Sequence, residues 1–110
     1  MINYEDFIKV DIRVGRVVNV EAFPESKKPA LKLYIDFGKE VGIKKSSAQI
    51  THLYSKENLV DKQVIAVVNL PPRQVGKFMS EVLVLGLSNS SNEIVLVHPD
   101  QEVTNGNRLH

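Results

Sequence analysis

The chain has 110 residues, of which 43% are hydrophobic and 25% charged, and it contains no cysteine. This length and composition are typical of one soluble globular domain, and the lack of cysteine excludes a disulfide framework and thiol chemistry. The formal net charge is only +1, so any binding of nucleic acid has to depend on local clusters of lysine and arginine rather than on the total charge.

Nothing in the sequence is typical of a membrane or secreted protein. No apolar run approaches the roughly 18 residues that a membrane helix needs, and residues 1–6 lack the basic and then apolar layout of a secretory signal. We therefore expect a cytoplasmic protein without membrane insertion, in which residues 1–110 form a single domain.

The first half of the chain changes from a helical turn to alternating strands. A helical turn is predicted at residues 4–9, with Asn3 as its N-cap. A long strand of period two follows over 10–22, and we expect it to bend at Gly15, as strands do at a barrel corner. Two further strands are predicted at residues 31–37 and 41–46, joined by a glycine turn.

The second half contains one more helical turn and three apolar strands. The helical turn at 55–59 has Ser55 as its N-cap, and a β-branched strand follows over 63–69. The strand predicted at 82–87 is apolar on both faces, so one face must be covered by another element or by a partner subunit. A short strand at 93–97 and an aperiodic segment at 99–110 complete the chain.

Five main strands, with a long first strand and a short helix between the third and the fourth, are the layout of an OB-fold barrel. We therefore predict an all-β fold, a five-stranded OB-fold barrel with short helices and N- and C-terminal extensions. Because one face of the fifth strand needs a cover, we predict that two copies assemble as a two-fold dimer.

The segment 69–85 is the most informative part of the sequence. Pro71 and Pro72 lack amide donors, so strand pairing has to stop there, and Gly76 permits a sharp backbone bend. We expect a long exposed loop between two strands rather than a tight hairpin.

This loop combines cations with large apolar side chains, which suggests a binding surface. Arg73 and Lys77 flank the glycine, and Phe78 and Met79 follow. Because methionine adapts to many ligand shapes, these four residues are candidates for binding unfolded polypeptides. The alternative stays open that Phe78 and Met79 pack into the domain's own core or at a dimer interface.

No pattern in the sequence indicates catalysis or a cofactor. The serines and histidines form no nucleophile–base pattern. His52, His98 and His110 are too far apart in the sequence to suggest a zinc site. We expect neither an enzyme nor a metal or cofactor site.

Three motifs resemble those of the stand-alone tRNA-binding OB domain, which is also appended to some methionyl- and tyrosyl-tRNA synthetases. They are the opening segment 7–17, the segment 31–38, and the loop 68–73 with Gly76 and Ser80-Glu81. The similarity covers residues 7–109. Val82-Leu83 stand where tRNA-binding members usually have Gly-Met, and this departure favours the CsaA-type branch, described as homodimeric chaperones linked to bacterial protein export.

The resemblance implies a function and a set of partners. We expect an export-related chaperone that binds unfolded or precursor polypeptides, with the export machinery as a further partner. A structure-specific tRNA-binding protein on the same scaffold is the alternative.

The resemblance also implies site residues. OB barrels bind nucleic acid across the second and third strands and the adjoining loops, and we expect the third-strand lysines and the loop cations to form one face. The RNA-binding candidates are Lys32, Lys44, Lys45, Asn69, Arg73, Lys77 and Ser80. Family members of this type dimerise through their end segments, and the interface candidates are Phe7, Val82, Val84, Val103 and Leu109.

Overall fold

The fold consists of nine strands and three short helices within residues 1–110, all of which the structure, a computed structural model, describes. None of the helices is long and apolar enough to cross a membrane. The helices are α1 (Tyr4–Ile8), α2 (Gly38–Val41) and α3 (Lys56–Leu59). The strands are β1 (Ile12–Ala22), β2 (Leu31–Asp36), β3 (Ile43–Ala48), β4 (Gln63–Val67), β5 (Arg73–Val75), β6 (Phe78–Ser80), β7 (Leu83–Val84), β8 (Gly86–Ser88) and β9 (Ile94–Leu96).

Five of the strands form one antiparallel sheet that curls into a nearly closed barrel of the OB type. Its strand order is β3-β2-β1-β4-β7, so β3 and β7 are the two edges that approach each other. The ribbons β5-β6 and β8-β9 lie outside this sheet. The predicted fold class is therefore confirmed, although the fifth barrel strand is much shorter than expected.

The barrel interior is filled by the inward residues of the alternating strands. Leu33 and Ile35 of β2 are fully buried with Val17 of β1 and Phe37 in one core cluster. A Cβ on Gly15 would lie 2.6–2.7 Å from the side chains of Ile35 and Phe37. This glycine is thus required by close packing, while the register shift of β1 lies between Val17 and Asn19.

The predicted helical turns are present, and each is capped as expected. The Asp6 amide donates to the Asn3 side chain at 3.1 Å, and at the N-cap of α3 the Ser55 amide donates to Oδ1 of Asn58 at 2.8 Å. The glycine turn at Gly38 is one turn of helix, α2, so the third strand begins at Ile43.

The segment 69–85 contains a tight hairpin, contrary to the sequence prediction. β5 pairs with β6, and Val75 lies opposite Phe78, so Gly76 and Lys77 form a two-residue turn. Gly76 has a φ of +60°, which suits the turns that join such hairpins. As predicted, strand β4 ends before the two prolines. The prolines do not prevent a new hairpin from starting at Arg73.

The predicted strand 82–87 is divided into β7 and β8. The amide of Leu85 donates to the carbonyl of Ile65, while its own carbonyl accepts from Val97. The chain therefore leaves the barrel at Leu85 and continues as the ribbon β8-β9. Val82 is 5% exposed and belongs to the core of this protomer, whereas Leu83 is 50% exposed.

The segment 99–110, which was predicted to be aperiodic, runs back along β1. We call it the C-terminal strap. Its backbone bonds join Gly106 and Asn107 to Val14, and Leu109 to Ile12, at 2.7–3.1 Å. Gly106 has a φ of +94°, and a Cβ there would lie 2.2 Å from the carbonyl oxygen of Phe37. Only glycine fits where the strap passes the barrel mouth.

Candidate functional site

The outer side of β2 and β3 carries a small polar and basic surface. In the β2-β3 ladder Tyr34 lies opposite Lys45, and Lys32 lies opposite Ser47, so these side chains share one side of the sheet. We call Lys32, Tyr34 and Lys45 the cation face. The sequence predicted both lysines as RNA-binding residues, and the structure brings them together.

A buried aromatic pair lies directly beneath the two lysines. The rings of Phe23 and Phe78 have centroids 5.5 Å apart. The ammonium of Lys32 lies 4.9 Å from the Phe23 centroid and 5.5 Å from that of Phe78, and the ammonium of Lys45 lies 5.2 Å from the latter. Cation–π attraction therefore positions both charges over the same apolar floor.

The hydroxyl of Tyr34 is held by a carboxylate of the neighbouring strand. It donates to Oε1 of Glu21 at 2.7 Å. This hydrogen bond raises the pKa of Tyr34 above its ordinary value, and burial and the negative charge of Glu21 act in the same direction. The carboxylate of Glu21 therefore lies beside the cation face and partly offsets the charge of its two lysines.

Of the other predicted cations, Lys77 lies beside the cation face, whereas Lys44 and Arg73 lie on other surfaces. Lys44 precedes Lys45 in β3 and lies opposite the inward-facing Ile35, so its side chain starts on the other side of the strand. The prediction that both third-strand lysines share one face is wrong for Lys44. Lys77, at the hairpin turn, lines a cleft of about 360 Å³ together with Lys32. Arg73 lines a different cavity.

Ser80 and the following Glu81 attach the hairpin to the edge of β3. Oγ of Ser80 accepts from the Ser47 amide at 3.1 Å, and Oε1 of Glu81 accepts from the Lys45 amide at 3.1 Å. The Glu81 amide donates back to the Lys45 carbonyl at 2.8 Å. We call this pair the edge clamp, because it satisfies backbone groups that an edge strand would otherwise expose.

The side chain of Asn69 is used within the protein. Its Oδ1 accepts from the Asp11 amide at 2.9 Å, and its Nδ2 donates to the Lys9 carbonyl at 2.8 Å. Both ends of the amide thus tie the loop after β4 to the segment that precedes β1. This predicted RNA-binding residue has few hydrogen-bonding positions left for a ligand.

Phe78 and Met79 point to opposite sides of β6. Phe78 is 7% exposed and packs with Phe23 and Ala30, while Met79 is 36% exposed. Phe78 is thus the floor of the cation face. Of the two apolar candidates for polypeptide binding, Met79 is the one that a ligand reaches directly.

A groove of about 550 Å³ lies where the barrel edges β3 and β7 fail to pair, and we call it the seam groove. Its walls include Ala48 at the end of β3, Leu83 and Val84 of β7, and Arg73 of β5. Nearly half of its lining residues are hydrophobic, and none is an aspartate or a glutamate. Sequence reasoning placed Arg73 at a binding site but missed the groove, which only the strand order of the barrel could have indicated.

A second apolar surface lies where the two chain ends meet, and we call it the terminal patch. Phe7 and Leu109 line a cavity of about 340 Å³ there, and the guanidinium of Arg108 donates to the Ile8 carbonyl. Of the predicted interface residues the structure brings only Phe7 and Leu109 together. Val82 lies in the core, Val84 lines the seam groove, and the Val103 amide donates to the Gln63 side chain. The remaining residues that line this cavity are Tyr4, Val10 and His110.

Comparison with known proteins identifies relatives over the whole chain. The family described as "Putative tRNA binding domain" matches residues 12–108. The crystal structure of chaperone CsaA from Bacillus anthracis str. Ames is 48% identical, with a TM-score of 0.93 over 100% of this chain and 99% of that chain. The CsaA chaperone protein from Picrophilus torridus is 49% identical, with a TM-score of 0.93 over 100% of both chains.

A third relative is an enzyme that contains this domain as a small part. The methionine–tRNA ligase of Methanosarcina mazei is 36% identical over 109 residues, which are 99% of this chain but only 15% of the ligase. The similarity to the ligase therefore concerns one domain of a much longer protein.

Proposed function

This chain belongs to the tRNA-binding domain family, as its motifs predicted, and we propose that it acts as a chaperone of the CsaA type. In this proposal a cytoplasmic homodimer binds unfolded or precursor polypeptides and works with the export machinery. The observation that carries the proposal is the end-to-end match, at 48% and 49% identity, to two proteins named as CsaA chaperones. The matched domain is a binding domain rather than a catalytic one.

The surface chemistry supports a polypeptide ligand. The seam groove offers apolar walls without any carboxylate, and Met79 exposes a flexible apolar side chain on the neighbouring hairpin. Apolar surface of this kind gains free energy when it covers the hydrophobic side chains of an unfolded chain. Arg73 adds a cation that would attract acidic residues of a client.

Suppression of aggregation tests this function. An unfolded model protein is diluted into buffer with and without the chain, and light scattering is recorded. We expect the chain to suppress scattering, Met79→Ser to weaken this effect, and Leu87→Ser to leave it unchanged. Leu87 is a suitable control because it is 67% exposed and lies in β8, outside the groove. If the native chain fails to suppress scattering, the chaperone proposal is contradicted.

The second candidate function is binding of tRNA on the cation face. The family match favours it, and so do the ammonium groups of Lys32 and Lys45, which lie within 5.5 Å of one ring centroid. Competition between tRNA and an unfolded polypeptide over a salt series separates the two functions. Phosphate contacts lose affinity steeply as salt rises, whereas apolar binding is maintained.

A further inference from the structure

We call the gap between the unpaired barrel edges β3 and β7 the seam. On both edges of the seam, some backbone hydrogen-bonding groups have no partner. Along β3, the N–H and C=O groups that point toward the seam belong to alternate residues. Those of Lys45 are bonded to Glu81, and the Ser47 amide donates to Ser80. The next residue in this order is Gln49, directly after the end of β3, which is exposed and whose N–H and C=O make no hydrogen bond.

The opposite edge, β7, has the same property. In the β4-β7 ladder Val84 lies opposite Ala66, and the Leu85 amide donates to the Ile65 carbonyl. Because N–H and C=O directions alternate along a strand, those of Val84 point away from β4 and toward the seam. The edge clamp thus closes one end of the seam, and the other end stays open between Gln49 and Val84.

The seam groove beside these groups selects a particular ligand chemistry. Its lining contains eight hydrophobic residues and no acidic residue, and its only lysine and arginine are Lys28 and Arg73. Free backbone donors and acceptors next to apolar walls are the requirements of strand addition, in which the main chain gives affinity and pockets accept alternate side chains. An RNA strand lacks the regular alternation of N–H and C=O groups that this kind of pairing requires.

We infer that an extended polypeptide segment inserts into the seam as an additional strand. Its main chain pairs with Val84 and Gln49, its alternate apolar side chains fill the seam groove, and an acidic residue lies near Lys28 or Arg73. This inference rests on the proposed chaperone function and specifies its binding mode. Main-chain pairing would explain how one small groove accepts many unrelated sequences.

Backbone esters test the pairing without any change to the protein. The probe is a short labelled peptide of alternating leucine and threonine with a terminal aspartate, and its affinity is measured by fluorescence anisotropy. An ester in place of a central amide removes one N–H donor and keeps every side chain. With esters placed at the central positions in turn, we expect those that remove an N–H facing Val84 or Gln49 to weaken binding about fivefold, while an ester at the labelled end, outside the paired region, has no effect.

A matched pair of variants locates the site. Leu83→Glu places a carboxylate at a half-exposed position of the acid-free groove, and we expect it to weaken the peptide about tenfold or more. Leu87→Glu, at a more exposed position outside the groove, should bind the peptide like the native chain. Circular dichroism checks that both variants are folded.

The outcomes separate this inference from the proposed function. If the chain suppresses aggregation but the central esters bind like the all-amide peptide, strand insertion is refuted and the chaperone function stands. The same holds if Leu83→Glu binds the peptide normally. If Leu83→Glu abolishes binding of oligouridylate and the peptide does not bind at all, the groove is an RNA site and the inference is wrong. If the native chain neither suppresses aggregation nor binds the peptide, both proposals fail.

Discussion

The ammonium groups of two lysines lie over the ring of Phe78, and they restrict the access of a ligand to that ring. Lys32 and Lys45 lie 5.5 and 5.2 Å from its centroid, and the ring itself is 7% exposed. A nucleic-acid base therefore has little access to a stacking surface here. The cation face presents ammonium groups, which suit phosphates or carboxylates better than bases.

If tRNA binds to the cation face, its salt dependence should identify the residues in contact. Lys32→Ala and Lys45→Ala should each flatten the plot of log affinity against log salt concentration by about one unit, because each removes a phosphate contact. Lys44→Ala is the matched control, since its side chain starts on the other side of β3. A slope that changes with Lys44 but not with Lys45 would contradict this assignment.

Asn69 should prove to be a structural residue. Asn69→Ala removes two hydrogen bonds to backbone groups of Lys9 and Asp11. We expect the free energy of unfolding to fall by about 1–2 kcal/mol, as measured by urea denaturation, with no change in the salt slope of tRNA binding. Asn69→Asp keeps the acceptor and loses the donor, so it should recover part of the loss. A stable Asn69→Ala variant with a flatter salt slope would instead make Asn69 a ligand contact.

At the scale of elements, the hairpin β5-β6 depends on the edge clamp for its position. Ser80 and Glu81 satisfy two amides of the β3 edge, those of Ser47 and Lys45. The hairpin in turn places Phe78 under the cation face and Arg73 at the seam groove. One short clamp therefore sets the geometry of both candidate surfaces.

Loss of the clamp should lower stability and loosen the hairpin together. We expect Ser80→Ala to cost about 1 kcal/mol, because the Ser47 amide loses its partner, and to speed hydrogen exchange at that amide. Ser90→Ala, in an exposed turn, should cost nothing measurable. If exchange at Ser47 is unchanged, the clamp does not hold the hairpin.

The sequence predicts those elements that local patterns determine. Period-two alternation locates β1 to β4, and the caps at Asn3 and Ser55 locate α1 and α3. Prediction from the sequence fails for elements whose position is set by long-range contacts. The hairpin after Pro72 is too short to show a period, and the end of β7 is set by the bonds of Leu85 to Ile65 and Val97, distant in sequence.

The residues of the candidate site also divide into those that local patterns predict and those that depend on long-range contacts. Lys32 and Lys45 could be predicted because strand parity places them on one face, and the same parity should have separated Lys44. The internal bonds of Asn69 and the burial of Phe78 depend on which segments meet in the barrel. Motif likeness alone carries no such information.

At the scale of the whole molecule, the terminal patch is the surface that most needs a cover. Tyr4 is 67% exposed, Ile8 44% and Leu109 42%, and they surround the cavity at the chain ends. Val82, by contrast, is already covered inside the protomer. An interface between two copies would therefore lie at the patch rather than along the fifth barrel strand, and it would place the same residues on both sides of a two-fold axis.

The last prediction is that this dimer forms and that a single charge at the patch dissociates it. Sedimentation of the native chain at micromolar concentration should give twice the 12.3 kDa monomer mass. Leu109→Glu should give the monomer mass, because the carboxylates of both copies would lose their hydration in an apolar interface, while the neighbouring Arg108 is already bonded to Asp11 and the Ile8 carbonyl. The Leu109 amide keeps its bond to the Ile12 carbonyl, so the strap should stay in place.

Deletion of residues 99–110 is a poorer test of the dimer, since it also removes the strap's bonds to β1. Leu87→Glu is the control and should remain dimeric, as its side chain lies in β8, away from the patch. A native chain that sediments as a folded monomer would refute the dimer, and the apolar patch would then have to be tolerated in solvent.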